Sequence, residues 1–229
     1  MTISASAANF TRTIFTADAT PDLVMPTAVP AGATIVVGIL NRTDATTDIS
    51  SVGDSVNGTG YTRASALGSD FTALYYFLNS ASGTPTVTVT FAGAINSQIA
   101  IGWFEDSTHG AMTVDSVMTP RDAGANETNI DTTPFSVSGA GAIIGFAGGN
   151  NSQADPEPTA DGAGETELLT GAAGLRIGMF FEAFASAGSY GFETTWDSSQ
   201  TDFHVIAFLE PGGGGGGASL RTLTLLGVG

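Results

Sequence analysis

Chemistry at a protein site needs titratable or nucleophilic side chains within reach of one another, and this 229-residue chain offers few of them. Its two histidines are far apart. His109 precedes Gly110 in a turn-like stretch, and His204 lies inside the apolar run Phe203-His-Val-Ile-Ala-Phe-Leu209. A lone imidazole in such a strand is more often a hydrogen-bonded structural residue than a general base, and both are read that way. Carboxylates are more numerous. Glu105-Asp106 follow Trp103-Phe104, Glu165 and Glu167 alternate, and Glu182 and Glu193 fall on late strand-like segments. A pair of carboxylates flanking a glycosidic bond is what a sandwich-type sugar hydrolase needs.

The E-x-D-x-x-E array of laminarinase-like jelly rolls is missing, as are the G-x-S-x-G elbow, H-E-x-x-H, Walker A and the dinucleotide fingerprint. A glycoside hydrolase of jelly-roll type therefore ranks third among the functional readings. The expectation is a non-enzyme with no catalytic residue and no cofactor. Asp54-Ser-Val-Asn-Gly58 and Asp155-Pro-Glu157 carry hard oxygen ligands, but neither has a full calcium-loop order, so they read as solvated loop acids and no metal site is assigned. Sequons at Asn9, Asn41, Asn57, Asn126 and Asn150 are what a Ser- and Thr-rich chain makes by chance. Trp103, Trp196, Tyr61, Tyr75, Tyr76 and Tyr190 could stack on a sugar, although Trp103 reads as core and Tyr75-Tyr76 must point to opposite faces.

Composition narrows the partners. The net charge is −16, from 22 acids against six bases that are all arginine. Nucleic-acid binding requires a basic footprint, and an anionic membrane surface would repel this chain, so neither is expected as a partner. Cysteine is absent, which removes disulfides and thiolate metal sites. The start, Met1-Thr-Ile-Ser-Ala-Ser-Ala-Ala-Asn-Phe10, has neither the basic nor the apolar region of a secretory signal, and no apolar run is long enough to span a bilayer. Synthesis in a cytosol is expected.

Around this sparse chemistry the chain is patterned for strands. In Thr86-Val-Thr-Val-Thr-Phe91 the apolar residues alternate with threonines, as on a half-buried antiparallel strand. Ala33–Leu40 and Phe203–Leu209 are continuously apolar and suit central strands covered on both faces. Further strands are predicted at Phe10–Phe15, Tyr61–Leu67, Thr72–Leu78, Gln98–Phe104, Met112–Met118, Phe135–Ser138, Ala142–Phe146, Leu175–Phe184 and Tyr190–Trp196. Glycines at Gly38, Gly102, Gly145 and Gly178 argue against helix and suit bulges or close sheet packing. The predicted fold is all-β, a two-sheet antiparallel sandwich of jelly-roll or concanavalin-A-like type over residues 1–211.

Residues Ile49-Ser-Ser-Val-Gly-Asp-Ser-Val-Asn-Gly-Thr-Gly-Tyr-Thr62, Leu74-Tyr-Tyr-Phe-Leu-Asn-Ser-Ala-Ser-Gly83 and Thr86–Phe91 carry a resemblance. With the buried strand before them, they resemble a sandwich module of tailed-bacteriophage structural proteins and some bacterial surface proteins. There an S-V-x-D-x-x-G-N-x-Y-like hairpin leads to an aromatic strand and a T-V-T-V strand. Asn57-Gly58 stands in reversed order here. The resemblance spans Ala33 to Phe104 and implies no catalytic residues.

Six glycines, 212–217, then separate the body from the apolar tail 218–229. Polyglycine loses too much backbone entropy on ordering to hold regular structure, so it reads as a flexible linker. The tail is expected to anchor on a neighbouring chain through Leu220, Leu223, Leu225, Leu226 and Val228. Together these features predict a structural protein of a virion, assembled in the host cytoplasm. Its expected role is a capsid decoration or fibre-like protein, with other virion proteins, foremost the capsid protein, as partners. Self-association and a surface glycan are further expected partners. The runner-up is a carbohydrate-binding adhesin module on a phage tail or cell surface.

Overall fold

A computed structural model describes residues 3–41, 49–64, 72–117, 121–123, 129–131, 135–149, 159–160, 166–169, 177–191, 193–195 and 201–211. The glycine linker 212–217 and the tail with Leu220, Leu223, Leu225, Leu226 and Val228 lie outside the described residues, as do Glu165, Trp196 and Asp155-Pro-Glu157. The protein is all-β and its strand pairings are antiparallel, as the alternation predicts.

The first half contributes β1 (Ile3–Asp18), β2 (Asp22–Val24), β3 (Thr34–Asn41), β4 (Ile49–Asp54), β5 (Thr62–Arg63), β6 (Thr72–Phe77), β7 (Thr86–Phe91) and β8 (Ile95–Asp106). Five of them form a sheet in the order β1-β8-β3-β6-β5, and β2-β7-β4 form a three-stranded sheet. The two sheets enclose an apolar layer of Ile35, Val37, Ile39, Ile99, Ile101 and Trp103 against Val52, Val87, Val89 and Phe91. Phe10–Phe15 belongs to a strand far longer than its apolar pattern, because β1 follows β8 through two register shifts that let it bend.

The second half contributes β9 (Thr113–Val117), β10 (Arg121–Ala123), β11 (Asn129–Asp131), β12 (Phe135–Val137), β13 (Gly141–Gly149), β14 (Thr159–Ala160), β15 (Thr166–Glu167), β16 (Ile177–Phe184), β17 (Gly188–Tyr190), β18 (Glu193–Thr195) and β19 (Thr201–Leu209). Its main sheet runs β10-β19-β13-β16-β15, with β9 also on β19. Two small groups, β11-β18-β14 and β12-β17, complete it. Val137 and Tyr190 from the second group cover Ile143, Phe180, Phe184, Val205 and Ala207 on the far face of the main sheet.

The plan is therefore built twice. β3, β6 and β8 take the places of β13, β16 and β19, β5 that of β15, and β1 that of β9 with β10; β7 between β2 and β4 matches β18 between β11 and β14. Each half is an antiparallel two-layer sandwich, and the main sheets stack on each other. Between them lies an aromatic-rich apolar layer, with Leu40, Leu74 and Phe104 facing Ile144, Phe146, Phe181 and Phe208. Because both main sheets are covered on both faces, β3 and β13 are buried along their whole length, which explains their unbroken apolar sequence. Gly38 and Gly102 mark close packing: a Cβ would sit 2.3 Å from the Phe146 ring in the first case and 2.0 Å from the Phe10 ring in the second.

Candidate functional site

The outward face of β2-β7-β4 carries the polar trough of the first half. Alternation along β7 sends Val87, Val89 and Phe91 inward and leaves Thr86, Thr88 and Thr90 outward, with successive hydroxyl-bearing positions roughly 7 Å apart. Register sets Gly53 of β4 and Asp22 of β2 on either side of Thr88, and Ser51 beside Thr90. Thr88 donates to Asp22 Oδ1 at 2.5 Å. Gly53 has no side chain over the row, and a Cβ there would come within 2.9 Å of the Gly58 carbonyl oxygen. The space left is a trough of about 420 Å3 rimmed by Ser55, Gly58 and Thr59. It falls within the size range of small-molecule sites.

One end of the trough is fixed by Asp54, which is only 9% exposed. Its Oδ1 accepts the backbone N–H groups of Val56 and Asn57, each at 2.7 Å, and its Oδ2 accepts Asn57 Nδ2 at 2.9 Å and the Tyr61 hydroxyl at 2.7 Å. The turn closes with reciprocal backbone bonds between Asp54 and Gly58, Gly58 taking the left-handed conformation at φ 76°. Asn57 extends the network by donating to Ser80 Oγ at 3.0 Å and accepting the Ala81 N–H at 2.9 Å. Burial first, then the hydrogen bond to Asp54 and its negative charge, push the Tyr61 hydroxyl pKa far above its ordinary value. Asp54 and Asn57 thus differ from the solvated loop expected of them: both carboxylate oxygens are taken by protein donors. The residues that carry the hairpin resemblance are the ones that staple this turn to the β6–β7 connection.

No family model, curated protein or solved structure matches this chain.

The remaining candidates are dispersed. His204 lies wholly buried between the main sheets, 2.8 Å from the Thr72 hydroxyl across the layer. Burial, then the charge of Arg63, lowers its pKa to about 3, which keeps the imidazole neutral. His109 sits in a tight turn at φ 54°, its Nδ1 2.7 Å from Glu105 Oε2. Asp106, also buried, holds that turn by accepting the Thr108 N–H at 2.8 Å and its hydroxyl. Burial pushes the Asp106 pKa up, but the Thr108 bonds lead the effects that leave it below its ordinary value.

Among the carboxylates first singled out, the fold brings together only Glu167 and Glu182 within the described side chains. Glu167 stands opposite Phe180, two residues before Glu182, so the two share a sheet face on neighbouring strands. Burial raises the Glu182 pKa. Of the aromatics, Trp103 is core and donates to Thr27 Oγ1 at 3.0 Å, while Tyr75 and Tyr76 join opposite apolar layers as their alternation requires. Tyr190 stacks on Phe184 at 4.7 Å. The trough itself escaped sequence reasoning, although the T-x-T-x-T pattern of β7 was its signal.

Proposed function

We propose that this chain is a non-enzymatic structural protein of a larger particle, its β-body acting as a rigid display element and its C-terminal tail as the attachment. The observation that carries the reading is the use made of the buried carboxylates and the buried imidazole. Asp54, Asp106 and His204 are bound to their own turn or to the opposite sheet, so they stiffen the body. The hairpin and T-V-T-V resemblance suggests the virion of a tailed bacteriophage as the setting and a capsid decoration or fibre-like role within it. The sequence beyond Pro211 supplies Leu220, Leu223, Leu225, Leu226 and Val228 for attachment to a capsid protein. Fully buried, each leucine would contribute about 1.5–3 kcal/mol before ordering costs. Six glycines reach roughly 13 Å on average, so the partner surface must be close.

Truncation after Pro211 tests this. The expected result is an unchanged melting temperature with loss of incorporation into purified particles. Normal incorporation of the truncated protein refutes the anchoring role, and its unfolding assigns the tail to the body's own core.

The trough favours a second reading, a glycan-binding module. Thr86, Thr88, Thr90, Ser51 and Asp22 line the trough with hydroxyl and carboxylate groups able to hydrogen-bond the hydroxyls of a sugar. Glycan-array binding that Thr88→Val abolishes, by removing a lining hydroxyl at nearly unchanged volume, would support this reading; binding indifferent to that change would not.

A further inference from the structure

Every strand pairing among the described residues lies within one half of the chain. The sheets containing β1 to β8 use residues 3–106, and those containing β9 to β19 use residues 113–209. The halves meet chiefly through side chains on the facing main sheets. A superposition that keeps both ladders of each central strand, and lays the edge pair Thr62–Tyr76 of β5 and β6 on Thr166–Phe181 of β15 and β16, carries β3 onto β13, β6 onto β16 and β8 onto β19 in one register. Gly38, whose neighbours are Leu74 and Ala100, then falls on Phe146, whose neighbours are Met179 and His204. By the same ladders Tyr76 falls on Phe181 and Phe104 on Phe208.

Across the interface the contacts recur with roles exchanged. Tyr76 meets Phe208 with ring centroids 5.8 Å apart, and the counterpart pair Phe181 and Phe104 meets at 6.3 Å. Phe104 and Phe208, counterparts of each other, meet at 5.1 Å. Gly38 and Phe146, also counterparts, are in direct apposition, the ring of one lying where the other lacks a Cβ. This is the signature of an isologous interface, in which residue i meets j, j meets i, and positions on the two-fold axis meet their own equivalents. Sheet packing alone demands none of these coincidences.

We propose that the inner face of each half is a self-complementary docking surface whose partner is a module of its own kind, so that this polypeptide is a dimer closed within one chain. The surface is defined on the first half by Gly38, Tyr76 and Phe104 and on the second by Phe146, Phe181 and Phe208. The axis passes by the Gly38–Phe146 and Phe104–Phe208 contacts. The proposal does not depend on attachment to a particle.

The test reverses the knob and the hole in the full-length chain. Gly38→Phe overfills the axis and Phe146→Gly empties it, and each alone is expected to lower the melting temperature by roughly 10 °C. Combined, they place the ring on the opposite side of the axis against an equivalent bed, and more than half of the summed loss should return. A double variant that loses as much as the two single ones added together overturns the proposal, because independent sites add. Should a single variant fail to fold, Phe104→Leu and Phe208→Leu take its place. As equivalents across the axis they should cost melting temperature within about two-fold of each other, and a wider disparity overturns the proposal.

Discussion

Replacing Asp54 with alanine removes an acceptor that four protein donors share: two backbone N–H groups, Asn57 Nδ2 and the Tyr61 hydroxyl. A donor stranded in a buried place costs about 1–3 kcal/mol, and one that water reaches costs little. Asp54 is nearly closed to solvent whereas Asn57 and Tyr61 are half-buried, so about half of the four penalties should be felt, a loss of roughly 2–6 kcal/mol. Asp54→Asn is the sharper probe. Its remaining carbonyl oxygen can still serve the two backbone groups, but its amide then confronts Asn57 Nδ2 and the Tyr61 hydroxyl. The tyrosine can turn its proton away, and the expected cost is about 1–3 kcal/mol. Urea unfolding of the two variants, of Tyr61→Phe and of Asp54→Asn combined with Tyr61→Phe gives the double-mutant cycle, and amide exchange at Val56 and Asn57 reports the turn directly. Asp54→Ala should accelerate exchange at both amides. A loss below about 1 kcal/mol for Asp54→Ala, with both amides still protected, would refute the idea that this carboxylate staples the turn.

Other expectations follow from single contacts. His204 is neutral in the fold with a pKa of about 3 against an ordinary 6.5, so the unfolded chain binds the extra proton between those values. Stability should be intact above about pH 6.5 and fall toward pH 3, and melting curves of His204→Gln should lack that part of the acid limb. Glu182 behaves oppositely: its raised pKa favours the protonated folded form, so the stability it contributes is present in acid and lost as pH rises. Glu182→Gln should therefore raise the melting temperature at neutral pH and lose that advantage below the ordinary glutamate range. Gly102→Ala would drive a methyl into the Phe10 ring and should lower stability by about 1–3 kcal/mol in denaturant titration.

Strand content was legible wherever period-two alternation was strict, as along Thr86–Phe91, or where an apolar run was too continuous for a surface strand, as in β3 and β19. Those patterns report burial of one face or both, which is what fixes a strand's place in a stack. The doubling of the sandwich was not read from them. Leu74-Tyr-Tyr-Phe-Leu-Asn-Ser-Ala-Ser-Gly83 and Met179-Phe-Phe-Glu-Ala-Phe-Ala-Ser-Ala-Gly188 occupy matching places but share few identities, because an apolar layer accepts exchanges such as Tyr for Phe provided volume is kept. The Asp54 staple was half legible: its residues carried the hairpin resemblance, but alternation contains no information about which donors a carboxylate will meet. His204 was read as structural from its apolar neighbours, while its partner Thr72 lies 132 residues away in sequence and only the stacking of the sheets joins them.

Among the described residues no strand ladder joins the halves, and this has a mechanical consequence. Within each half, adjoining strands resist shear through rows of backbone hydrogen bonds, whereas the halves are held against each other mainly by nondirectional side-chain packing. Tension applied between Ile3 and Pro211 should therefore part the protein along the Phe104–Phe208 layer first, leaving two intact sandwiches joined by the segment from Ser107 to Met112. The body would act as a two-link chain under load, yielding length at one defined plane before either link gives way.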